Sequence, residues 1–286
     1  MGKVKFEVTE DIIDICRDNV FKAVFTKDRP QSRGALERLI SCLVGQTLSI
    51  TVITANEPPI EDVHDRQMRF DISCKSDTGE LINIEMTMYP DDFEPVRLDY
   101  YSGRLFIGQD IRGRDKSYRD LKPSYQISFL LHKTFFEDDS LVHHFEYYDP
   151  KSKVSLGGRS RIITVELNKL EKVIDKPVEE MSVQEHWSVF FRYITDTTKR
   201  EKINAIIELE EGIEMASEVL ISISRDEVER ARLNSEYKYA VDHQSQMVEA
   251  ERRGRAEERT KTTEEFLALL KAGKSPEEII QMYDKA

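Results

Sequence analysis

The chain has 286 residues, is 39% hydrophobic and 34% charged, and carries a formal net charge of −12. Such a composition supports a sizeable packed core and excludes wholesale disorder. It also excludes a globally basic nucleic-acid binder, so any grip on DNA must come from a local patch, a metal or both.

The three cysteines, Cys16, Cys42 and Cys74, show no CxxC spacing and read as small core residues rather than a disulfide framework or a zinc site. The N-terminal stretch has no uninterrupted apolar run, and no segment approaches the length of a membrane span. A cytoplasmic protein without a membrane partner is the expectation.

In chain order, apolar residues from Ile12 to Phe25 recur at helical spacing and predict a helix over 10–26. A second helix is expected over 32–45, closed by Gly45 as its cap. The β-branched run at 48–54 predicts a strand, and Pro58 and Pro59 then enforce a loop. Two strict alternations follow, "RFDISCK" at 69–75 and "LINIEMTM" at 81–88, joined by the turn residues "SDTGE". They predict an antiparallel hairpin. A helix over 95–110, strands at 125–131 and 161–167, and helices at 181–195 and 200–221 come next. From residue 225 to 262 the chain is charged, proline-free and poor in large aliphatics, which predicts a solvated helical stalk. "TTEE" at 262–265 and "SPEE" at 275–278 read as the caps of a final helical pair. The expected organisation is therefore a domain over 1–224, a stalk over 225–262 and a small helical pair over 263–286.

The hairpin carries the chemistry. Side chains alternate along a strand, so residues of like parity share a face. A symmetric five-residue turn sets Lys75 opposite Leu81, Ser73 opposite Asn83 and Asp71 opposite Glu85. A slip of two residues would still keep Asp71, Glu85 and Thr87 together, and a slip of one would bury a polar set. Two facing carboxylates repel each other, and a bridging Mg²⁺ or Mn²⁺ removes the conflict. Spacing alone favours a plainer reading, in which this face is simply the solvent side of the sheet with lysine and arginine as countercharge.

The segment "RFDISCKSDTGELINIEMTMY" resembles the D…(D/E)-x-K core of the Rpn family of recombination-promoting nucleases, also described as transposases of the PD-(D/E)xK superfamily. "DNVFKAVF", "ALERLISCLVG", "RLDYYSGRL" and "YRDLKPSYQISFL" resemble further family segments in the same order, so the likeness spans roughly residues 10 to 220. The resemblance implies an α/β, restriction-endonuclease-like core: a central mixed sheet flanked by helices. It implies metal-dependent cleavage of DNA, with Asp71 and Glu85 as metal ligands and the Met86 carbonyl as a further one. The x-K position falls on Thr87, where the family has Lys or Gln. Lys22, Arg97 or Lys75 would then have to supply the missing cation. Arg97, Tyr100 and Arg104, at helical spacing, are the candidates for contact with the DNA backbone. The alternative is a catalytically degenerate interaction protein that pairs through its C-terminal helices. Those helices are also the expected seat of homo-oligomerisation. His143 and His144 are adjacent on a strand-like stretch, would face opposite sides and read as structural.

Overall fold

The computed structural model describes residues 4–54, 71–109, 111, 116–272, 274 and 275. Arg69, Phe70, the proline loop after residue 54 and the "SPEE" cap beyond Ser275 lie outside the described residues. Six strands form one mixed sheet in the order β1-β2-β3-β4-β6-β5, with β1 Ile50–Thr54, β2 Ile72–Ser76, β3 Leu81–Thr87, β4 Ser124–Leu130, β5 Val142–Phe145 and β6 Ser160–Glu166. β1, β2 and β3 run antiparallel, β3, β4 and β6 run parallel, and β5 closes the edge antiparallel to β6. Helices flank the sheet, as expected of the restriction-endonuclease-like class.

The β2–β3 hairpin has the expected register: Lys75 faces Leu81, Ser73 faces Asn83 and Ile72 faces Ile84. Its turn is held by Ser76, whose hydroxyl accepts the N–H groups of Gly79 (3.0 Å) and Glu80 (2.9 Å) and donates to the Glu80 carboxylate. Gly79 sits at φ +97°, a left-handed conformation that suits glycine.

The two faces of the sheet differ. Ile82, Ile84 and Met86 of β3, Tyr125, Ile127 and Phe129 of β4, and Ile163 and Val165 of β6 are all buried and apolar. This face packs on α1 (Asp18–Thr26), α2 (Pro30–Val44) and α4 (Val183–Tyr193). Phe21 and Phe25 of α1 meet Phe129 of β4 and Phe191 and Trp187 of α4 in an aromatic cluster. The opposite face is polar, yet also buried: Asn83, Glu85, Gln126, Ser128, Thr164 and Glu166 are all 3% exposed or less. Helix α3 (Glu94–Ile107) covers this side, anchored by a 2.7 Å hydrogen bond between Ser102 and Ser160. It starts with Pro95 in its first turn, where the missing N–H costs nothing.

Three predicted elements differ from the observed ones. Helix α1 begins only at Asp18, not at residue 10. The apolar residues before it are buried as irregular chain, whose amides find partners outside a helix: Ile13 N–H donates to the distant Ser224 Oγ (3.2 Å) and Cys16 N–H to the nearby Asp14 Oδ1 (2.9 Å). The helix expected over 200–221 is two helices, α5 (Arg200–Leu209) and α6 (Glu211–Arg225), broken at an extended Glu210. Glu210 pairs with buried His186 at 2.8 Å, and Gly212 follows against Trp187. A Cβ at Gly212 would come within 2.6 Å of Arg38 Cβ and 3.0 Å of the indole. Gly212→Ala is therefore expected to lower stability by about 1–3 kcal/mol, read as a fall in the midpoint of urea unfolding with an unchanged slope.

The third difference is at the C-terminus. Helix α7 runs unbroken from Glu227 to Lys271, through the "TTEE" that predicts a new helix start. Thr262, the expected cap, lies inside this helix, and the hydroxyl of neighbouring Thr263 donates back to the Arg259 carbonyl at 2.7 Å, as a mid-helix threonine does. By contacts the chain divides into two compact units, residues 1–233 and 234–286. The second consists of the remainder of α7 and the residues after it.

Candidate active site

The parallel strands β3 and β4 end side by side, with the Leu131 N–H donating to the Thr87 carbonyl at 3.0 Å. The polar face gathers its charged groups near this end. Asp71, just ahead of β2, reaches across to β3: its Oδ2 accepts the Met86 N–H at 2.9 Å. It thereby lies near enough to Glu85 for its charge to help raise that carboxyl's pKa. The structure thus places the two predicted acids, Asp71 and Glu85, in the same region of the sheet.

Each acid has its own cation. Lys22 of α1 places its ammonium 3.3 Å from Asp71 Oδ1 and 3.4 Å from Asp18. Arg97 of α3 lies 3.5 Å from Glu85 Oε2. The same guanidinium donates to Glu94 at 2.6 Å and to Thr87 Oγ1 at 2.9 Å. Burial raises the Asp71 carboxyl, although Lys22 and the Met86 N–H oppose the shift. Glu85 is pushed up to about 8, by burial first, with Arg97 opposing and Asp71 reinforcing. Among the described residues its buried Oε2 has no hydrogen-bond partner, only the Arg97 ion pair, while Oε1 is approached by the Asn83 amide at 3.4 Å.

A divalent ion fits this donor set on two grounds. Among the described residues Glu85 Oε2 accepts no hydrogen bond and has only the 3.5 Å ion pair with Arg97, which leaves it able to take a cation ligand. Two carboxylates with water completing the shell suit Mg²⁺. The donor count stays low: among the described residues, no group of three or more His, Cys, Asp or Glu is arranged to hold a metal.

Of the other expected residues, Met86 turns its side chain into the apolar core, so only its backbone faces the acids. Tyr100 is 52% exposed on the outer side of α3, whereas Arg97 stacks over Tyr101 at 5.4 Å. Tyr101, not Tyr100, is the tyrosine that touches the site. Arg104 is two helical turns beyond Arg97, about 10 Å along the axis. Lys75 is exposed and about 13 Å along the strand from Asp71. His143 and His144 do face opposite ways. His143 pairs with Asp138 at 3.0 Å, and His144 lines a separate cleft with Tyr125 and Arg161.

A profile describing PD-(D/E)XK nuclease family transposases matches residues 15–250. The chain belongs to that family. No curated protein and no solved structure matches it. In this PD-(D/E)XK family member Thr87, which the resemblance sets at the x-K position, accepts a hydrogen bond from the Arg97 guanidinium.

Sequence reasoning missed Glu94, which is 3% exposed and fixes Arg97. Its i, i+3 spacing to Arg97 was the available signal. It also missed the row that extends Glu85 across the sheet. Register aligns Glu85 with Ser128, Ser128 with Thr164, and Thr164 with His143. Ser128 Oγ, Thr164 Oγ1 and His143 Nδ1 lack hydrogen-bond partners among the described residues. Two strands from Glu85's strand, Glu166 is fully buried, paired with Lys169 at 2.5 Å, and accepts the Phe135 N–H at 2.5 Å. It pins the loop after β4.

Proposed function

We propose that this chain is a divalent-metal-dependent DNA nuclease that hydrolyses phosphodiester bonds. The supporting observation is the approach of half-buried Asp71, just ahead of β2, to buried Glu85 on β3, flanked by Lys22 and Arg97. Asp71 and Glu85 would hold Mg²⁺ or Mn²⁺, with the Met86 carbonyl as a further ligand. The ion would supply Lewis-acid polarisation of the phosphate and a more acidic water.

The protein's own groups then have separate tasks. Arg97 stands where the family lysine would, and a guanidinium is permanently charged and suited to bidentate phosphate contact. Glu94 and Thr87 orient it. Lys22 offers a second cation on the opposite flank, able to leave Asp71 for a phosphate oxygen once a metal neutralises that acid. Buried Glu85 and half-buried Asp71 give these cations a partly desolvated setting, where their field on a developing negative charge is stronger than in water. Family membership supports DNA as the substrate; the acidic chain as a whole offers no broad attraction for it.

The decisive experiment is plasmid cleavage by the full chain with Mg²⁺, Mn²⁺ or EDTA, alongside Asp71→Asn. Nicking or cutting with Mg²⁺ or Mn²⁺, lost in EDTA and in the variant, is expected. Cleavage that persists in both refutes the proposal. A second reading, a catalytically silent scaffold that pairs through its C-terminal helices, is favoured by Thr87 at the family's lysine position. It requires wild-type protein that binds no divalent ion and cuts nothing.

A further inference from the structure

Two residues past Thr87, an exposed aromatic pair stands at the rim of the site. Tyr89 is 69% exposed, and its ring stacks on His132 with centroids 5.0 Å apart and planes only 16° from parallel. His132 follows β4 as Tyr89 follows β3. Because Thr87 and Leu130 are register partners, both rings lie within two residues of the same level of the sheet. That is at most about 7 Å of chain from the Thr87 position.

The pair is preset rather than casual. Tyr89 precedes the buried Pro90, which restricts its backbone to extended conformations. His132 holds φ +57°, a left-handed conformation uncommon for histidine, and this is what turns its ring under Tyr89. Lys133 adds a cation beside it, paired with the largely exposed Asp92. An aromatic ring this exposed, backed on one side and open on the other, matches the stacking platforms that receive unpaired bases. A base inside a duplex has both faces covered by its neighbours and cannot use such a ring. In a chain with net charge −12, phosphate contacts are confined to local cations, so stacking adds binding that the global charge does not.

We propose that Tyr89, backed by His132, stacks an unpaired base next to the phosphate bound at the Asp71–Glu85 site by Arg97 and Lys22, so the preferred substrate is single-stranded or locally unpaired DNA. This rests on the nuclease reading above and names its substrate class.

The test uses the full chain, Mn²⁺ and two oligonucleotide substrates of one sequence: fully paired, and with one unpaired base at the cleavage position. Tyr89→Ala is expected to lower cleavage of the unpaired substrate by about 5- to 100-fold and leave the paired one unchanged, while Tyr89→Phe keeps the preference. In Ca²⁺, 2-aminopurine at the unpaired position should be quenched by wild type and not by Tyr89→Ala. An unchanged ratio with retained quenching, or equal loss on both substrates, overturns the proposal while leaving the nuclease intact. Wild-type protein that neither cuts nor binds any DNA removes the nuclease reading, and this proposal with it.

Discussion

Glu85→Gln is expected to stay folded and to lose at least about 10³-fold of divalent-dependent cleavage, because one of two metal-holding charges disappears. The fold should tolerate the change unusually well. Glu85 is 3% exposed and its acidity is pushed up to about 8, chiefly by burial. At pH 7 the metal-free protein therefore favours the protonated acid, which glutamine imitates in shape and neutrality. The pH dependence has a definite sign. The unfolded chain releases this proton near pH 4.5, the folded one near 8. Between those values the folded state binds the extra proton, so stability falls as pH rises, by at most about 1.4 kcal/mol per unit. Below pH 4.5 the contribution is fully present, and above 8 it is gone. Urea unfolding of wild type in EDTA at pH 5 and pH 8 should show this loss, and Glu85→Gln should flatten it. A variant with the same pH slope as wild type would show that Glu85 is not the group responsible.

That prediction was partly legible in the sequence. Alternation on both sides of "SDTGE" set the parity of Asp71 and Glu85, and the apolar set Ile72, Cys74, Ile82, Ile84 and Met86 locked it. The observed register, Lys75 with Leu81 and Ser73 with Asn83, follows directly. What the alternation could not convey is that the polar face is buried. A polar strand face normally means solvent; here α3 lies over it, and Asn83 and Gln126 satisfy each other at 2.7 Å. β4 disguised its part: Gln126 and Ser128 sit within an otherwise apolar run that resembles a core strand. Elsewhere tertiary contacts overrode local pattern. His186 and Trp187 act on Glu210 and Gly212 from another helix, so no window over 200–221 could reveal that break. Likewise, helical spacing before Asp18 reflects burial by α6, not helix.

Arg97→Ala is expected to cost about 10²- to 10³-fold in cleavage, the scale of losing one positioned electrophile, and also about 2 kcal/mol of stability. The stability loss arises because Glu94 is 3% exposed and loses its charged partner. A fully buried pair broken this way costs about 3–5 kcal/mol, and the 38% exposure of the Arg97 side chain lowers that figure. Arg97→Lys should recover much of the stability and little of the activity, since one ammonium cannot serve Glu94, Thr87 and Glu85 together. The same geometry governs the family lysine. Thr87→Lys in the wild-type background brings an ammonium against a guanidinium now 2.9 Å from Thr87 Oγ1, so it should not raise activity. In Arg97→Ala the new lysine inherits the vacated carboxylates and should restore at least tenfold. Single-turnover rates and urea midpoints for the two singles and the double complete the cycle. If the two substitutions prove additive, Arg97 is not standing in for the lysine, and its role reduces to holding α3 against the sheet.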